Sequence, residues 1–154
     1  MKGRHAVLSV ACVLLLNLHS AAAAEMVSIA GEDINMRSAP GTDQSILWTL
    51  GSGFPLEVIG KKGEWLKVQD FEGSTGWVHR KTTQPTPYVI VRANKGTEQQ
   101  INVRKEPTTD AEIVAKAHYG VVFRVLGTKG SWINVEHTRE GVSGWVLGSL
   151  LWGQ

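Results

Sequence analysis

Cysteine is almost absent from this sequence of 154 residues, and the single one, Cys12, lies in an apolar run near the N-terminus. The rest of the chain therefore has no disulfide, no thiolate ligand for zinc and no cysteine nucleophile. The G-x-S-x-G elbow of serine hydrolases and the H-E-x-x-H pair of zinc proteases are missing too. We therefore expect a protein that is not an enzyme, with no catalytic residue, metal or cofactor.

A dominant charge is absent as well. The chain has 16 basic and 14 acidic residues, a net charge of +2. Lys2 and Arg4 supply that excess, because no acidic residue precedes Glu25. The sequence after residue 24 is thus neutral, which argues against binding to nucleic acid. Nothing in the sequence predicts an oligomeric state.

Residues 1–24 have the order typical of a secretory signal peptide. Two basic residues come first, an apolar run at 6–18 follows, and Ala22 and Ala24 form an A-x-A cleavage site. We expect cleavage after Ala24, export to the periplasm or the medium, and no membrane insertion afterwards. A membrane anchor is one alternative, but the run is short for a ~30 Å hydrocarbon core. Lipidation of Cys12 is another, disfavoured because apolar residues continue after it.

The sequence repeats itself at a spacing of 67 residues. Such self-similarity indicates two homologous units. We place the first domain at 26–83 and the second at 88–152, joined by a proline-containing linker at 84–87. The best-matched segments are 34–37 with 101–104, 62–65 with 129–132 and, after one insertion, 76–78 with 144–146.

Both copies read as short strands separated by glycine-containing turns, with no convincing helical periodicity. In the first copy we expect strands at 56–59 and 65–68, joined by a turn at 60–63. Because side chains alternate along a strand, an inward Leu66 and Val68 place Trp65 outside. The same parity holds at 132–135 in the second copy.

Four tryptophans are the candidate ligand contacts. By parity, Trp65 shares an outer surface with Trp77 in the first copy, as Trp132 does with Trp145 in the second. An exposed aromatic pair is a plausible binding groove. The alternative is that these indoles cover the ends of the core as partly buried packing.

The ordered motifs resemble the bacterial SH3-like (SH3b) domain. The first copy carries N-M-R-S-A-P at 35–40, Gly53, W-L-K-V at 65–68 and G-W-V at 76–78, and the second repeats the pattern. The resemblance implies an all-β fold of two tandem small five-stranded SH3-like barrels. It also implies that Trp65 and Trp77 line a peptide groove, with Asn35 and Arg37 beside it on a long first loop.

The second copy carries Asn102 and Arg104 at the matching positions. We expect Arg37 and Arg104 to pair with ligand carboxylates. For Asn35 and Asn102 the alternative is a hydrogen bond that shapes the loop.

Members of the SH3b family accompany cell-wall hydrolases or occur as exported modules, and several bind peptidoglycan peptides. The resemblance therefore implies a non-catalytic cell-envelope module whose partner is peptidoglycan or a peptide segment of an envelope protein. The alternatives are a protein–protein interaction adaptor in the periplasm or outside the cell, and a hydrolase with an unrecognised site. The histidines after residue 24, His79, His118 and His137, occupy unrelated places in the two copies, so we expect ordinary surface histidines, with a three-histidine metal site as the alternative.

Overall fold

The computed structural model describes residues 24–154, so the predicted signal peptide lies outside the described residues except for Ala24. The first half folds into seven strands: β1 Glu25–Ile29, β2 Ile34–Arg37, β3 Ile46–Leu50, β4 Pro55–Lys62, β5 Trp65–Gln69, β6 Thr75–His79 and β7 Thr83–Gln84. The second half follows the same plan: β8 Tyr88–Val91, β9 Ile101–Arg104, β10 Ile113–Ala117, β11 Val122–Lys129, β12 Trp132–His137, β13 Val142–Leu147 and β14 Leu151–Trp152.

The two halves form two antiparallel sheets with matching strand order. The first runs β3-β2-β6-β5-β4-β1-β7 and the second β10-β9-β13-β12-β11-β8-β14. A 3₁₀ turn precedes the last strand of each, at Arg80–Thr82 and Gly148–Leu150. The all-β fold and the tandem duplication predicted from the sequence are therefore confirmed. We call the halves unit one and unit two.

The predicted number of five strands per unit is wrong, since each sheet has seven strands. In the first sheet β3 and β7 are the two edge strands. Strand β1, at the start of unit one, pairs with β4 through residues Glu25 to Ser28. At its end, the 3₁₀ turn reverses the chain and brings Thr83 opposite Ile29. These short edge pairings depend on contacts distant in sequence, so no local pattern reveals them.

Each sheet encloses its own hydrophobic core. The core of unit one is built from Ile29, Met36, Leu50, Leu56, Leu66, Val68 and Val78. That of unit two comprises Val89, Val91, Ile101, Val103, Ala117, Phe123, Ile133, Val135, Val146 and Leu151. Because the clusters are separate, the duplication extends from the sequence to the packing.

The predicted alternation of side chains in β5 is confirmed. Leu66 and Val68 are buried in the core, Trp65 is half-buried and Lys67 is exposed. The predicted turn at 60–63 is wrong in its extent, because β4 continues to Lys62 and the hairpin closes with Lys62 opposite Trp65. A register shift at Ile59 inserts one extra residue into β4, and such bulges bend a strand sharply.

The two units meet through side chains carried by their turns. The rings of Phe71 and Tyr119 lie with centroids 5.3 Å apart. The Tyr119 hydroxyl donates a hydrogen bond to the Glu72 carboxylate, and Lys95 Nζ lies 3.1 Å from Glu72 Oε1. Burial, followed by the hydrogen bond to Glu72, raises the pKa of Tyr119 to about 12. The phenol is therefore protonated, and donates to Glu72, at any physiological pH.

A second polar contact crosses the same junction. Arg139 Nη2 donates to Glu32 Oε1 over 2.9 Å, and the backbone N–H of Ser52 donates to Glu32 Oε2 over 3.2 Å. Glu72 and Arg139 hold matching positions in the two copies of the repeat. Each unit thus uses the same turn to reach its neighbour, with opposite charges on the two sides.

We expect the junction to loosen in acid. Hydrogen bonds from Arg139 and, to a lesser extent, from Ser52 lower the pKa of Glu32 below the ordinary 4.5. Hydrogen bonds from Tyr119 and then Lys95 lower the pKa of Glu72 in the same way. A lowered pKa means that the contact contributes stability above the ordinary pKa and loses it as pH falls through the lowered value. ¹⁵N relaxation should show the units tumbling together at about pH 7 and more independently at about pH 3.

The double variant Glu32→Gln/Glu72→Gln provides the control for this pH effect. At about pH 7 it should tumble as the unaltered chain does in acid, and its relaxation should be nearly independent of pH. Because both carboxylates are exposed, added salt should reduce the difference. Identical tumbling of the unaltered chain at both pH values would contradict the account.

Candidate functional site

Trp65 faces His79 across neighbouring strands at the outer surface of unit one. The two residues are register partners in the β5–β6 pair, and both side chains are half-buried. Their rings meet edge to face, with centroids 5.2 Å apart and an interplanar angle of 69°. This packing holds the indole in place while leaving part of it open to solvent.

A cavity of about 230 Å³ lies against this ring pair. Three of the four site residues predicted for unit one line it, namely Asn35, Arg37 and Trp65. Trp77 lies on the same face of the sheet, opposite Lys67 and Arg37, but does not line the cavity. The structure therefore brings Trp65 together with the two polar residues and places Trp77 beside the group.

The predicted loop position of Asn35 and Arg37 is wrong, because both lie in β2. Asn35 Oδ1 accepts a hydrogen bond from Thr49 Oγ1 on β3 over 3.2 Å. Arg37 Nη1 donates to the backbone carbonyl of Gln44 over 2.7 Å, which ties the loop between β2 and β3 to the strand. Pairing with β3 on one side and with Trp77 of β6 on the other keeps this segment extended.

Further charged groups surround the same cavity. Asp33 and Lys81 line it together with Arg37, and their side chains are exposed. Within residues 24–154, none of these three makes an ion pair. Asp33 has φ of 54°, a left-handed conformation that Asp tolerates better than most residues. Charged side chains that make no ion pair and lie around an aromatic ring are suited to a charged ligand.

The corresponding face of unit two is different. Trp132 is opposite Leu147 instead of a histidine, and Trp145 is opposite Asn134 and Arg104. Arg104 Nη1 donates to the carbonyl of Ala111 over 2.8 Å, just as Arg37 does to its own loop. The loop-tying arginine is thus common to both units, whereas the aromatic partner of the tryptophan is present in unit one alone.

Asn102 lies in β9 and faces Lys116 of β10 in the strand register. Its counterpart Asn35 faces Thr49, whose hydroxyl donates to it. Replacement of Thr49 by lysine in the second copy removes that hydroxyl. The asparagines therefore share a strand position but not a hydrogen-bond partner.

Comparison with known families agrees with this geometry. The model of the bacterial SH3 domain matches two tandem segments of the chain, residues 30–85 and 97–153. The chain belongs to the bacterial SH3 domain family. Each matched segment covers six of the seven strands of one sheet, all except β1 in the first and β8 in the second, so both units are bacterial SH3 domains.

A Bacillus subtilis (strain 168) relative, YrvJ, carries the name of an N-acetylmuramoyl-L-alanine amidase. It is 28% identical over 145 residues, which are 86% of this chain but 27% of the relative. The tandem bacterial SH3 chain thus spans about a quarter of that protein.

Solved structures with a likeness to this chain include NlpC2 and NlpC1 from Trichomonas vaginalis and an NlpC/P60 family protein from Bacillus cereus ATCC 10987. Sequence identities are 11%, 12% and 14%, and each TM-score is 0.37. They cover 85%, 94% and 82% of this chain and 48%, 51% and 55% of the solved chains. At such scores the likenesses carry no argument about the site.

Sequence reasoning missed Asp33, His79 and Lys81 as members of the candidate site. The signal was available in the comparison of the two bacterial SH3 domains, since these positions correspond to Gln100, Leu147 and Ser149. A repeat that keeps its core and changes these three positions is typical of copies with different ligand contacts. Their nearness to Trp65, however, only becomes apparent when the turns fold together.

The histidines do not form a metal centre in the described part of the chain. His79 packs on Trp65, His118 Nε2 is 2.9 Å from Gln100 Nε2, and His137 packs edge to face on Phe123. Among residues 24–154, no group of three or more His, Cys, Asp or Glu side chains is placed to hold a metal ion. Nor does that part of the chain contain a helix long and apolar enough to cross a membrane.

Another cavity, of about 270 Å³, lies between the two SH3 domains. Phe54 of unit one and Tyr88 of unit two contribute aromatic surface to it, and Arg139 contributes its guanidinium. That guanidinium is already bonded to Glu32. The guanidinium at the junction cavity thus has an ion-pair partner, whereas the charged side chains around Trp65 have none among the described residues.

Proposed function

We propose that this chain is an exported, non-catalytic binding module of the bacterial cell envelope, which recognises peptidoglycan or its peptides through its outer aromatic surfaces. The observation that carries the proposal is the cavity beside Trp65, which combines a held indole with charged side chains that make no ion pair among the residues the structure describes. Aromatic rings with a few polar groups are the usual lining of a ligand site.

Family membership and the named relative support this reading. Bacterial SH3 domains occupy both halves of the chain, and the relative carries the name of an N-acetylmuramoyl-L-alanine amidase. Export would bring the chain to the cell wall, and the signal peptide predicted at 1–24 would direct it.

Binding fits the chain better than catalysis does. After Cys12 no thiol nucleophile is available, and the sequence carries neither a serine elbow nor a zinc-protease pair. The match to the amidase-named relative covers 86% of this chain and 27% of the relative, and bacterial SH3 domains match residues 30–85 and 97–153 of this chain. A zymogram containing purified cell wall should therefore show no clearing by this chain, and a clearing zone would overturn the non-catalytic assignment.

Retention on purified sacculi tests the proposed function. We expect the chain of residues 25–154 to sediment with sacculi at low salt and to stay in solution without them. Pull-down from an envelope extract freed of sacculi distinguishes this function from that of a protein–protein interaction adaptor. Failure to sediment with sacculi, together with stable co-purification of an envelope protein, would replace the proposal with the adaptor.

Trp65→Ala is the variant that should weaken sacculus retention without unfolding unit one. Because the indole is half-buried, we expect the free energy of unfolding to change by less than about 1.5 kcal/mol, whereas truncating a fully buried tryptophan costs roughly 3–5 kcal/mol. Urea melts measure the stability and sedimentation measures the binding. A loss of unfolding free energy of roughly 3–5 kcal/mol would show that Trp65 belongs to the core.

A further inference from the structure

We propose that unit one alone holds the ligand and that the ligand is an acidic peptide, whose carboxylates are met by Lys81 beside the Trp65–His79 ring pair. This inference rests on the proposed function and deepens it by naming the unit, the chemical class of the ligand and a further contact residue. The proposal assigns the ligand carboxylate to Lys81, whereas the sequence predicted Arg37 and Arg104 for that role.

The cavity beside Trp65 has an excess of positive charge. Asp33 contributes one carboxylate, whereas Arg37 and Lys81 contribute two cations. One N–H of Arg37 is already used to hold the carbonyl of Gln44. Lys81 is exposed, follows β6 in the 3₁₀ turn and makes no ion pair among the described residues. Its ammonium is therefore available for a carboxylate.

The backbone of the 3₁₀ turn fixes the base of the Lys81 side chain. His79 caps the turn, because its Nδ1 accepts a hydrogen bond from the backbone N–H of Lys81 over 3.2 Å. The same imidazole packs against Trp65 with centroids 5.2 Å apart. One histidine thus couples the position of the indole to that of the cation, and a peptide could contact both at once.

Unit two lacks each of these features. Leu147 stands in the place of His79, and Ser149 in the place of Lys81. Leu147 precedes the second 3₁₀ turn without a side-chain cap. Arg104 has an N–H committed to the carbonyl of Ala111. Lys116 lies opposite Asn102, at the position of Thr49 in unit one, so the cations of unit two come from β9 and β10. Unit two therefore keeps the fold and the tryptophan but lacks the histidine-capped lysine that would hold a carboxylate beside the indole.

The test compares the same polymer with and without its carboxylates. Sacculi are used untreated or after carbodiimide amidation, which neutralises peptide carboxylates and leaves the glycan unchanged. We expect the affinity of the unaltered chain to fall about tenfold on amidated sacculi, equivalent to about 1.4 kcal/mol. Lys81→Gln should lose a similar factor on untreated sacculi and lose nothing further on amidated ones.

Two matched variants locate the effect in unit one. Lys129→Gln makes the same change of net charge at an exposed lysine of unit two, and Trp132→Ala removes the indole that corresponds to Trp65. Neither should change retention by more than about twofold, whereas Trp65→Ala should lose tenfold or more. A cooperative urea transition that begins well above the binding conditions establishes that each variant is folded.

The outcomes separate this inference from the proposed function. No retention of the unaltered chain on untreated sacculi would overturn the proposed function itself. Retention that survives amidation, or that Lys81→Gln leaves unchanged, would overturn the acidic-peptide ligand while the envelope-binding function stands. Equal losses from Trp65→Ala and Trp132→Ala would overturn the assignment to unit one.

Discussion

Leu66→Ala is expected to destabilise unit one so strongly that it unfolds at low urea, while unit two stays folded. The side chain is 2% exposed and lies in a core that has seven buried hydrophobic members. Truncating a buried leucine costs about 2–5 kcal/mol, because apolar contacts are lost and a cavity remains. A unit of about 60 residues has a total stability of only roughly 3–9 kcal/mol, so the loss removes most of it.

Amide NMR spectra measure the two units separately in the same chain. In Leu66→Ala the signals of unit one should collapse at low urea, and those of unit two should persist. Ile133→Ala, at the matching position of the second core, should give the reverse pattern. Lys67→Ala, next to Leu66 and exposed, is the surface control. Simultaneous loss of both units would show that the junction, and not the separate cores, governs cooperativity.

Gly144→Ala is expected to destabilise unit two by about 1–3 kcal/mol, the usual range for overpacking. A Cβ at this position would lie 2.6 Å from the backbone carbonyl oxygen of Arg104 and 2.8 Å from Val103 Cγ1. The carbonyl belongs to β9, which contacts β13 at this point, so it cannot move aside without breaking the sheet. The glycine of the repeated G-W-V motif is therefore explained by the close approach of two strands.

Gly76 and Gly127 serve as comparisons for the expected destabilisation by Gly144→Ala. At Gly76, the matching position in unit one, a Cβ would lie 2.6 Å from Met36 Cγ and 3.1 Å from the carbonyl oxygen of Arg37. Because the backbone is farther away there than at Gly144, Gly76→Ala should cost less than Gly144→Ala. At Gly127 a Cβ would meet nothing within 4 Å, so Gly127→Ala should be neutral or slightly stabilising. Urea unfolding of the three variants measures the order, and a Gly144→Ala chain as stable as Gly127→Ala would disprove the close-approach explanation.

Local periodicity predicted the outward position of the tryptophans correctly. Side chains alternate with a period of two wherever a strand is regular, so the inward Leu66 and Val68 were sufficient to place Trp65 outside. The same rule could not give the extent of β4, because the bulge at Ile59 breaks the alternation and the strand continues to Lys62. Nor could it place Asn35 and Arg37 in a strand, since β2 is defined by its neighbours β3 and β6.

The sequence by itself determined that the chain is a duplicated β protein and which side of each strand faces the core, because a repeat and a two-residue period are properties of neighbouring residues. Only the tertiary structure decided which charges surround Trp65. Asp33, His79 and Lys81 come from the turn before β2, from β6 and from the 3₁₀ turn that follows it. Folding brings them to one cavity through pairings between strands far apart in the chain, and no local pattern records such distances.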